Sequence, residues 1–94
     1  MSAKCEAAIQ YVRTHRDRFL SELKEFVAIP SISTDSRHQA DMQRCATWLA
    51  GQLHAIGVNR VEIFPTGGHP VVYGEHLSAG PNAPIVLIYG HYDV

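Results

Sequence analysis

Residues 85–94 of the chain read IVLIYGHYDV, an apolar run followed at once by a short polar segment. The apolar part, Ile85 to Tyr89, has no polar interruption, which is typical of a strand that is buried on both faces of a sheet. Such a strand needs packed layers on both sides, and helices commonly supply them. The run therefore predicts an α/β fold with a buried strand at residues 85–89.

Two shorter segments upstream of this run also have the composition of strands. They are residues 61–64, VEIF, and residues 71–75, VVYGE. Residues 65–70 between them read PTGGHP, a sequence typical of a turn. We therefore expect the two segments to pair as antiparallel strands, which makes three strands with the apolar run.

A long helix is predicted ahead of the strands, from about Ala3 to Val27, because apolar residues recur there at spacings of three and four. A polar run at residues 13–18 interrupts this pattern, so we expect the early half of the helix to be loosely attached. A residue before proline is pushed out of the helical region of backbone space. The helix is therefore expected to end at Ile29, which precedes Pro30.

A second helix is predicted to begin near Ser36, which forms a possible capping box with Gln39. Gly57 follows its last turn and suits the left-handed conformation that ends many helices, with Val58 packing back on the helix. Trp48 lies beside the apolar face and is expected to be partly buried. The face itself is made of Met42, Cys45, Ala46, Leu49, Leu53 and Ile56. The predicted order of elements is ααβββ.

Composition limits the class of protein. The chain has 94 residues, a net charge of −1 and 46% hydrophobic residues, so it forms at most one domain. Without a strongly basic balance, we expect neither nucleic acid nor a membrane surface as a partner. The longest apolar run is far shorter than the roughly 20 residues of a membrane-spanning helix. Cys5 and Cys45 are far apart, and no signal peptide is visible, so we expect free thiols and a cytoplasmic location.

The polar segment after the apolar run is the best candidate for chemistry. In extended chain, residues i and i+2 point to the same side, so the carboxylate of Asp93 is expected to lie close to the imidazole of His91. This arrangement suits a metal ligand and the group that orients it. The spacing alone leaves open that both are ordinary surface residues. A catalytic zinc ion also takes about three protein ligands, so His91 alone does not make a site.

The other candidate residues are weaker. The remaining histidines, His15, His38, His54, His69 and His76, lie in polar stretches, at a helix edge, in a turn or at a strand end. Ser31, Ser33 and Thr34 have no adjacent base in the sequence, so a serine nucleophile is not indicated. Gly67 and Gly68 lack the spacing of a nucleotide-binding loop.

Three stretches together resemble a known family. They are residues 26–33, FVAIPSIS; residues 53–57, LHAIG; and residues 85–94, IVLIYGHYDV. In this combination the chain resembles the zinc metallopeptidases of the carnosinase and cytosolic nonspecific dipeptidase type, whose relatives include aminoacylases and desuccinylases. The resemblance extends over nearly the whole chain.

The resemblance implies specific roles for two residues. His91 would bind one zinc ion of a two-metal centre, in which Co²⁺ or Mn²⁺ is also possible. Asp93 would orient the imidazole of His91, and such enzymes count this residue as catalytic. Residues 1–94 would be the amino-terminal portion of a zinc-exopeptidase-like catalytic domain with an incomplete sheet. The remaining ligands, a glutamate general base and a domain used for dimerisation and closure would lie elsewhere, in a homodimeric full-length protein.

The function implied by the resemblance is metal-dependent hydrolysis of the peptide bond of dipeptides, the activity of a zinc hydrolase of the metallopeptidase or carboxypeptidase type. The substrate would be a dipeptide or a small amide. We expect residues 1–94 alone to be inactive and to expose apolar surface at residues 85–89. Two alternatives remain: a deacylase or desuccinylase of N-acyl amino acids, and a truncated α/β module without enzymatic activity.

Overall fold

The structure is a computed structural model that describes residues 2–94. It is of the α/β class, with three α-helices followed by two antiparallel strands. The elements are α1 (Ala3–Thr14), α2 (Arg16–Ala28), a 3-10 helix (Ser36–His38), α3 (Gln39–Ala55), β1 (Arg60–Phe64) and β2 (Val71–Glu75). Within residues 2–94, no helix combines the length and the apolar character needed to cross a membrane.

The first predicted helix is two helices, divided at His15. The backbone of His15 leaves the helical region, with φ −104° and ψ 17°, and its imidazole stacks on the ring of Tyr11 at 3.9 Å. No residue of α1 is buried, so the expected loose attachment of this early half is confirmed. The end of α2 is also as predicted, because Ile29 before Pro30 has extended backbone angles.

The start of the second predicted helix differs from the expectation. The predicted capping box of Ser36 with Gln39 is wrong, since Asp35 is the capping residue. Its carboxylate accepts a hydrogen bond from the backbone N–H of Arg37 at 2.9 Å and also binds the Arg37 guanidinium. This cap begins one turn of 3-10 helix, and α3 starts only at Gln39.

The end of α3 follows the prediction at Gly57. This glycine has φ +92°, and Val58 donates a backbone hydrogen bond to the carbonyl of Leu53 at 3.1 Å. The pattern is a Schellman motif, which satisfies the last carbonyl groups of the helix. The assignment of Ile56 to the apolar face is wrong, because this residue is the C-cap and is 75% exposed.

The two shorter strands pair as predicted. Strands β1 and β2 are antiparallel, with Arg60 opposite Glu75 and Phe64 opposite Val71. Helix α3 packs closely on this hairpin at Gly74. A Cβ atom placed on Gly74 would lie 3.2 Å from side-chain atoms of both Leu53 and Val58.

The core lies where the loop after α2 crosses α3. Its buried apolar residues are Ile29, Met42, Cys45 and Ala46, and Ser31 is fully buried beside them. The ring of Phe26 stacks on Trp48 at 5.1 Å at the edge of this core, and Trp48 is half-buried as predicted. The loop at residues 29–33 is thereby packed against α3, and this loop contributes to the candidate site.

The structure corrects the prediction of a third strand. Residues 85–89 form no strand, and Leu87 and Ile88 are each 89% exposed. The prediction of a strand buried on both faces is therefore wrong for the described chain. The sheet of residues 2–94 contains β1 and β2 alone, so the run lacks the neighbouring strands and covering layers that a buried strand requires. The exposure of its apolar surface agrees with the other expectation.

Candidate functional site

The imidazole of His91 and the carboxylate of Asp93 lie side by side. Nδ1 of His91 is 3.3 Å from Oδ1 of Asp93, the proximity expected from their spacing of two residues. The His91 side chain is 74% exposed, and the Asp93 side chain is 35% exposed. Because Nδ1 faces the carboxylate, Nε2 is the nitrogen that remains for a ligand.

The second oxygen of the Asp93 carboxylate has its own partner. Oγ of Ser33 donates a hydrogen bond to Oδ2 of Asp93 at 2.6 Å. This hydrogen bond, with a smaller contribution from His91, lowers the pKa of Asp93 below its usual value despite the opposing effect of partial burial. The carboxylate is thus held between a serine and a histidine, one on each oxygen.

The backbone around Asp93 is fixed by Ser31. Oγ of this buried serine donates to the carbonyl of Tyr92 at 2.9 Å, and the N–H of Val94 donates to the carbonyl of Ser31 at 2.9 Å. Sγ of Cys45, on α3, reaches the same Tyr92 carbonyl at 3.4 Å. These bonds hold the residues on both sides of Asp93 and so set the direction of its side chain.

The turn between β1 and β2 contributes two further contacts. The hydroxyl of Tyr92 donates to the carbonyl of Pro70 at 2.6 Å, and burial raises the pKa of Tyr92. Nε2 of His69 donates to the carbonyl of Ser33 at 2.8 Å. The turn therefore supports both the segment that carries Asp93 and the loop that carries Ser33.

Several of these residues were missed at the level of the sequence. The sequence indicates no contact partner for Ser31, Ser33, His69 or Tyr92, although all of these except His69 lie in the stretches that carry the family resemblance. Their partners are 22 to 61 residues away in the chain, so no local pattern links them. Two signals point to the serines: both lie in residues 26–33, which carry the family resemblance, and residues i and i+2 of an extended loop face the same side.

The potential metal ligands of the described chain do not come together in one group. Among residues 2–94 there is no group of three or more His, Cys, Asp or Glu side chains that would hold a metal ion. Other histidines have separate contacts: Nδ1 of His38 lies 2.8 Å from the carboxylate of Asp41, and Nε2 of His76 lies 2.9 Å from Oγ of Ser78. The His91 pair has the right donor chemistry for one ligand position, because a carboxylate on Nδ1 leaves Nε2 as the binding atom.

Comparison with known proteins finds similar curated sequences. No protein-family model matches the sequence, and no solved structure matches the fold. Curated sequences do match. The chain is 33% identical to the Beta-Ala-His dipeptidase of Rattus norvegicus over 99% of its own length and 21% of that protein. It is 32% identical to the Beta-Ala-His dipeptidase of Homo sapiens over 98% of its length and 20% of that protein.

A second kind of relative is named as a metallodipeptidase. The chain is 28% identical to the Cys-Gly metallodipeptidase of Candida albicans over 84% of its length and 19% of that protein. The chain spans about a fifth of the length of these relatives. Both kinds of match extend over most of the chain. These matches, at 28–33% identity over most of the chain, support its assignment to a dipeptidase family.

Proposed function

We propose that the protein is a zinc-dependent dipeptidase in which His91 is a metal ligand and Asp93 orients its imidazole. The observation that carries the proposal is the contact of 3.3 Å between Nδ1 of His91 and Oδ1 of Asp93. It occurs in a chain whose relatives include enzymes named as dipeptidases and metallodipeptidases.

The chemistry of the pair follows from its geometry. Asp93 accepts a hydrogen bond from Nδ1–H of His91, which fixes the tautomer and leaves the lone pair on Nε2 free. A carboxylate in this position also makes the imidazole a stronger ligand. An aspartate carboxylate is charged near neutral pH, as this role requires.

Zinc is the metal that best suits an imidazole ligand in a hydrolase, although Co²⁺ and Mn²⁺ also accept this donor. When bound, the metal supplies polarisation of the scissile carbonyl and activation of water. A catalytic zinc ion takes about three protein ligands, and residues 2–94 bring together no such group. We therefore propose that residues 1–94 alone bind zinc weakly and do not hydrolyse dipeptides.

The proposal also covers the cellular location and the oligomeric state of the protein. Cys5 is an exposed free thiol and Cys45 is a buried one, which suits the reducing environment of the cytoplasm. We propose a homodimer for the full-length protein, on the resemblance to the dipeptidase family. A measured mass of the full-length protein in solution tests this assembly.

Zinc binding is tested by comparing two histidines. Wild-type protein, His91→Ala and the control His76→Ala are titrated with Zn²⁺ and followed by NMR of the histidine side chains. We expect zinc to perturb His91 in the wild type and in His76→Ala, and His91→Ala to lose that binding. Equal zinc binding by the wild type and His91→Ala would contradict the proposed ligand.

The substrate class is tested on the full-length protein with three kinds of probe: Cys-Gly, β-Ala-His and N-acyl amino acids. We expect chelator-sensitive hydrolysis of dipeptides that returns when Zn²⁺ is added. Faster cleavage of N-acyl amino acids than of either dipeptide would instead make the protein a deacylase.

A further inference from the structure

We propose that Ser33 is a positioning residue for the His91–Asp93 pair, acting through a hydrogen bond to the Asp93 carboxylate. The inference rests on the proposed function in taking His91 as the metal ligand and Asp93 as the residue that orients it. Ser33 lies 60 residues before Asp93 in the chain, in the loop that follows α2. Its role is to orient the carboxylate that in turn orients the imidazole.

The two oxygens of the Asp93 carboxylate have different partners. Oδ2 accepts from Oγ of Ser33 at 2.6 Å, and Oδ1 faces Nδ1 of His91 at 3.3 Å. The contact with Ser33 is the shorter of the two and has the length of a strong O–H···O⁻ hydrogen bond. With Oδ2 held by Ser33, rotation of the carboxylate is restricted and Oδ1 stays directed at the imidazole.

Ser33 is itself held in place from two sides. Its carbonyl accepts from Nε2 of His69 at 2.8 Å, in the turn between β1 and β2. Two residues earlier, the fully buried Ser31 is tied to the backbone of Tyr92 and Val94. The hydroxyl of Ser33 is therefore presented by a supported loop, as a positioning group must be.

The neighbouring Ser31 has a different role. Its hydroxyl contacts the backbone carbonyl of Tyr92, so it fixes the path of the chain. Ser33 contacts the side chain of Asp93, so it fixes the orientation of the functional group. The two serines face the same segment, but only the contact made by Ser33 acts on the carboxylate.

The same three residues do not form a nucleophilic triad. In a serine triad the histidine lies between the serine and the carboxylate and takes the serine proton. Here the carboxylate of Asp93 lies between Ser33 and His91. A carboxylate is a much weaker base than an imidazole, so the order of the groups favours positioning over nucleophilic attack.

The tautomer of His91 is the direct readout. In the metal-free protein, the ¹⁵N chemical shifts of the two ring nitrogens report which one carries the proton. We expect the Nδ1–H form in the wild type, a mixture with more of the Nε2–H form in Ser33→Ala, and a return to Nδ1–H in Ser33→Thr, which keeps a hydroxyl. The control Ser36→Ala changes an exposed serine at the start of the 3-10 helix and should leave the tautomer unchanged.

Zinc affinity is the second readout. Loss of an outer partner of a metal ligand typically costs about 10–100-fold in affinity. We expect Ser33→Ala to weaken Zn²⁺ binding at His91 by about tenfold, at the lower end of that range because Ser33 acts through Asp93. Ser33→Thr should retain most of the affinity.

The outcomes separate the two proposals. An Nε2–H tautomer in the wild type would overturn the role of Ser33 together with the orienting role of Asp93, and this measurement does not depend on any variant folding. An unchanged tautomer in a folded Ser33→Ala would overturn it as well. A shift in Ser33→Ala that Ser33→Thr reverses supports the role even if the wild type fails to bind zinc, a failure that would count against the proposed function alone.

Discussion

Ser31 and Tyr92 are joined by a hydrogen bond of 2.9 Å across 61 residues of chain. The hydroxyl of Ser31 is fully buried, and the carbonyl of the same residue accepts from the N–H of Val94. Through these two hydrogen bonds, Ser31 holds the loop after α2 against the segment that carries His91 and Asp93.

Ser31→Ala is expected to destabilise the protein by about 1–3 kcal/mol, the usual cost of leaving a buried polar group without its partner. Only the weaker thiol contact from Cys45 would then remain on the Tyr92 carbonyl. Denaturant unfolding measures the effect against Ser36→Ala, whose serine is exposed. Equal stability of the two variants would show that the contact between Ser31 and Tyr92 contributes nothing.

Asp35 gives a prediction for the dependence of stability on pH. The hydrogen bonds from the side chain and backbone of Arg37 lower the pKa of Asp35 below its ordinary value. A carboxyl group with a lowered pKa in the folded state stabilises the fold above its unfolded pKa of about 3.9 and loses that contribution as the pH falls through the folded value. We expect the 3-10 turn that leads into α3 to loosen below about pH 4, within this range.

The matched variant is Asp35→Asn, which keeps a side-chain oxygen for the backbone cap but has no charge. Its denaturant midpoint should change less between pH 7 and pH 3 than the midpoint of the wild type. An identical loss of stability in both proteins would assign the acid sensitivity to other carboxyl groups.

Much of the hairpin and part of the site follow from local sequence. Strand β2 has the predicted bounds, Val71–Glu75. Short alternating runs on both sides of a turn rich in glycine and proline strongly favour a β-hairpin. Gly57 ends α3 as expected, since its left-handed backbone suits glycine. The proximity of His91 and Asp93 follows from the alternation of an extended chain.

Two of the failures share a physical cause, which is dependence on residues far away in the sequence. The run at residues 85–89 has the composition of a buried strand, but burial depends on neighbours that residues 2–94 do not place around it. The contact of Ser33 with Asp93 joins residues 60 apart, so the pattern near either residue does not report it. The break at His15 depends on its local backbone and its stacking on Tyr11, whereas the apolar spacing only indicates a helix.

Gly74 is expected to be sensitive to any added side chain. A Cβ atom there would lie 3.2 Å from Leu53 on α3 and from Val58 just after it, closer than ordinary van der Waals contact. Gly74→Val should therefore separate α3 from the hairpin, at a cost of about 1–3 kcal/mol for overpacking. Gly67→Ala is the control, because a Cβ atom at Gly67 meets nothing within 4 Å. Equal stability of Gly74→Val and the wild type would mean that α3 can move away from the hairpin at no cost in free energy.

The exposed run at residues 85–89 gives the last prediction. Ile88 is 89% exposed, so Ile88→Lys removes no buried contact and should change the free energy of unfolding of the 94-residue chain by about 0.5 kcal/mol or less. It should also reduce self-association, because it breaks a contiguous apolar surface with a charge. Met42→Lys is the contrast, since Met42 is 3% exposed and a charge there should unfold the core. Circular dichroism and light scattering measure the two effects, and a loss of folded structure in Ile88→Lys would show that the run is packed in solution.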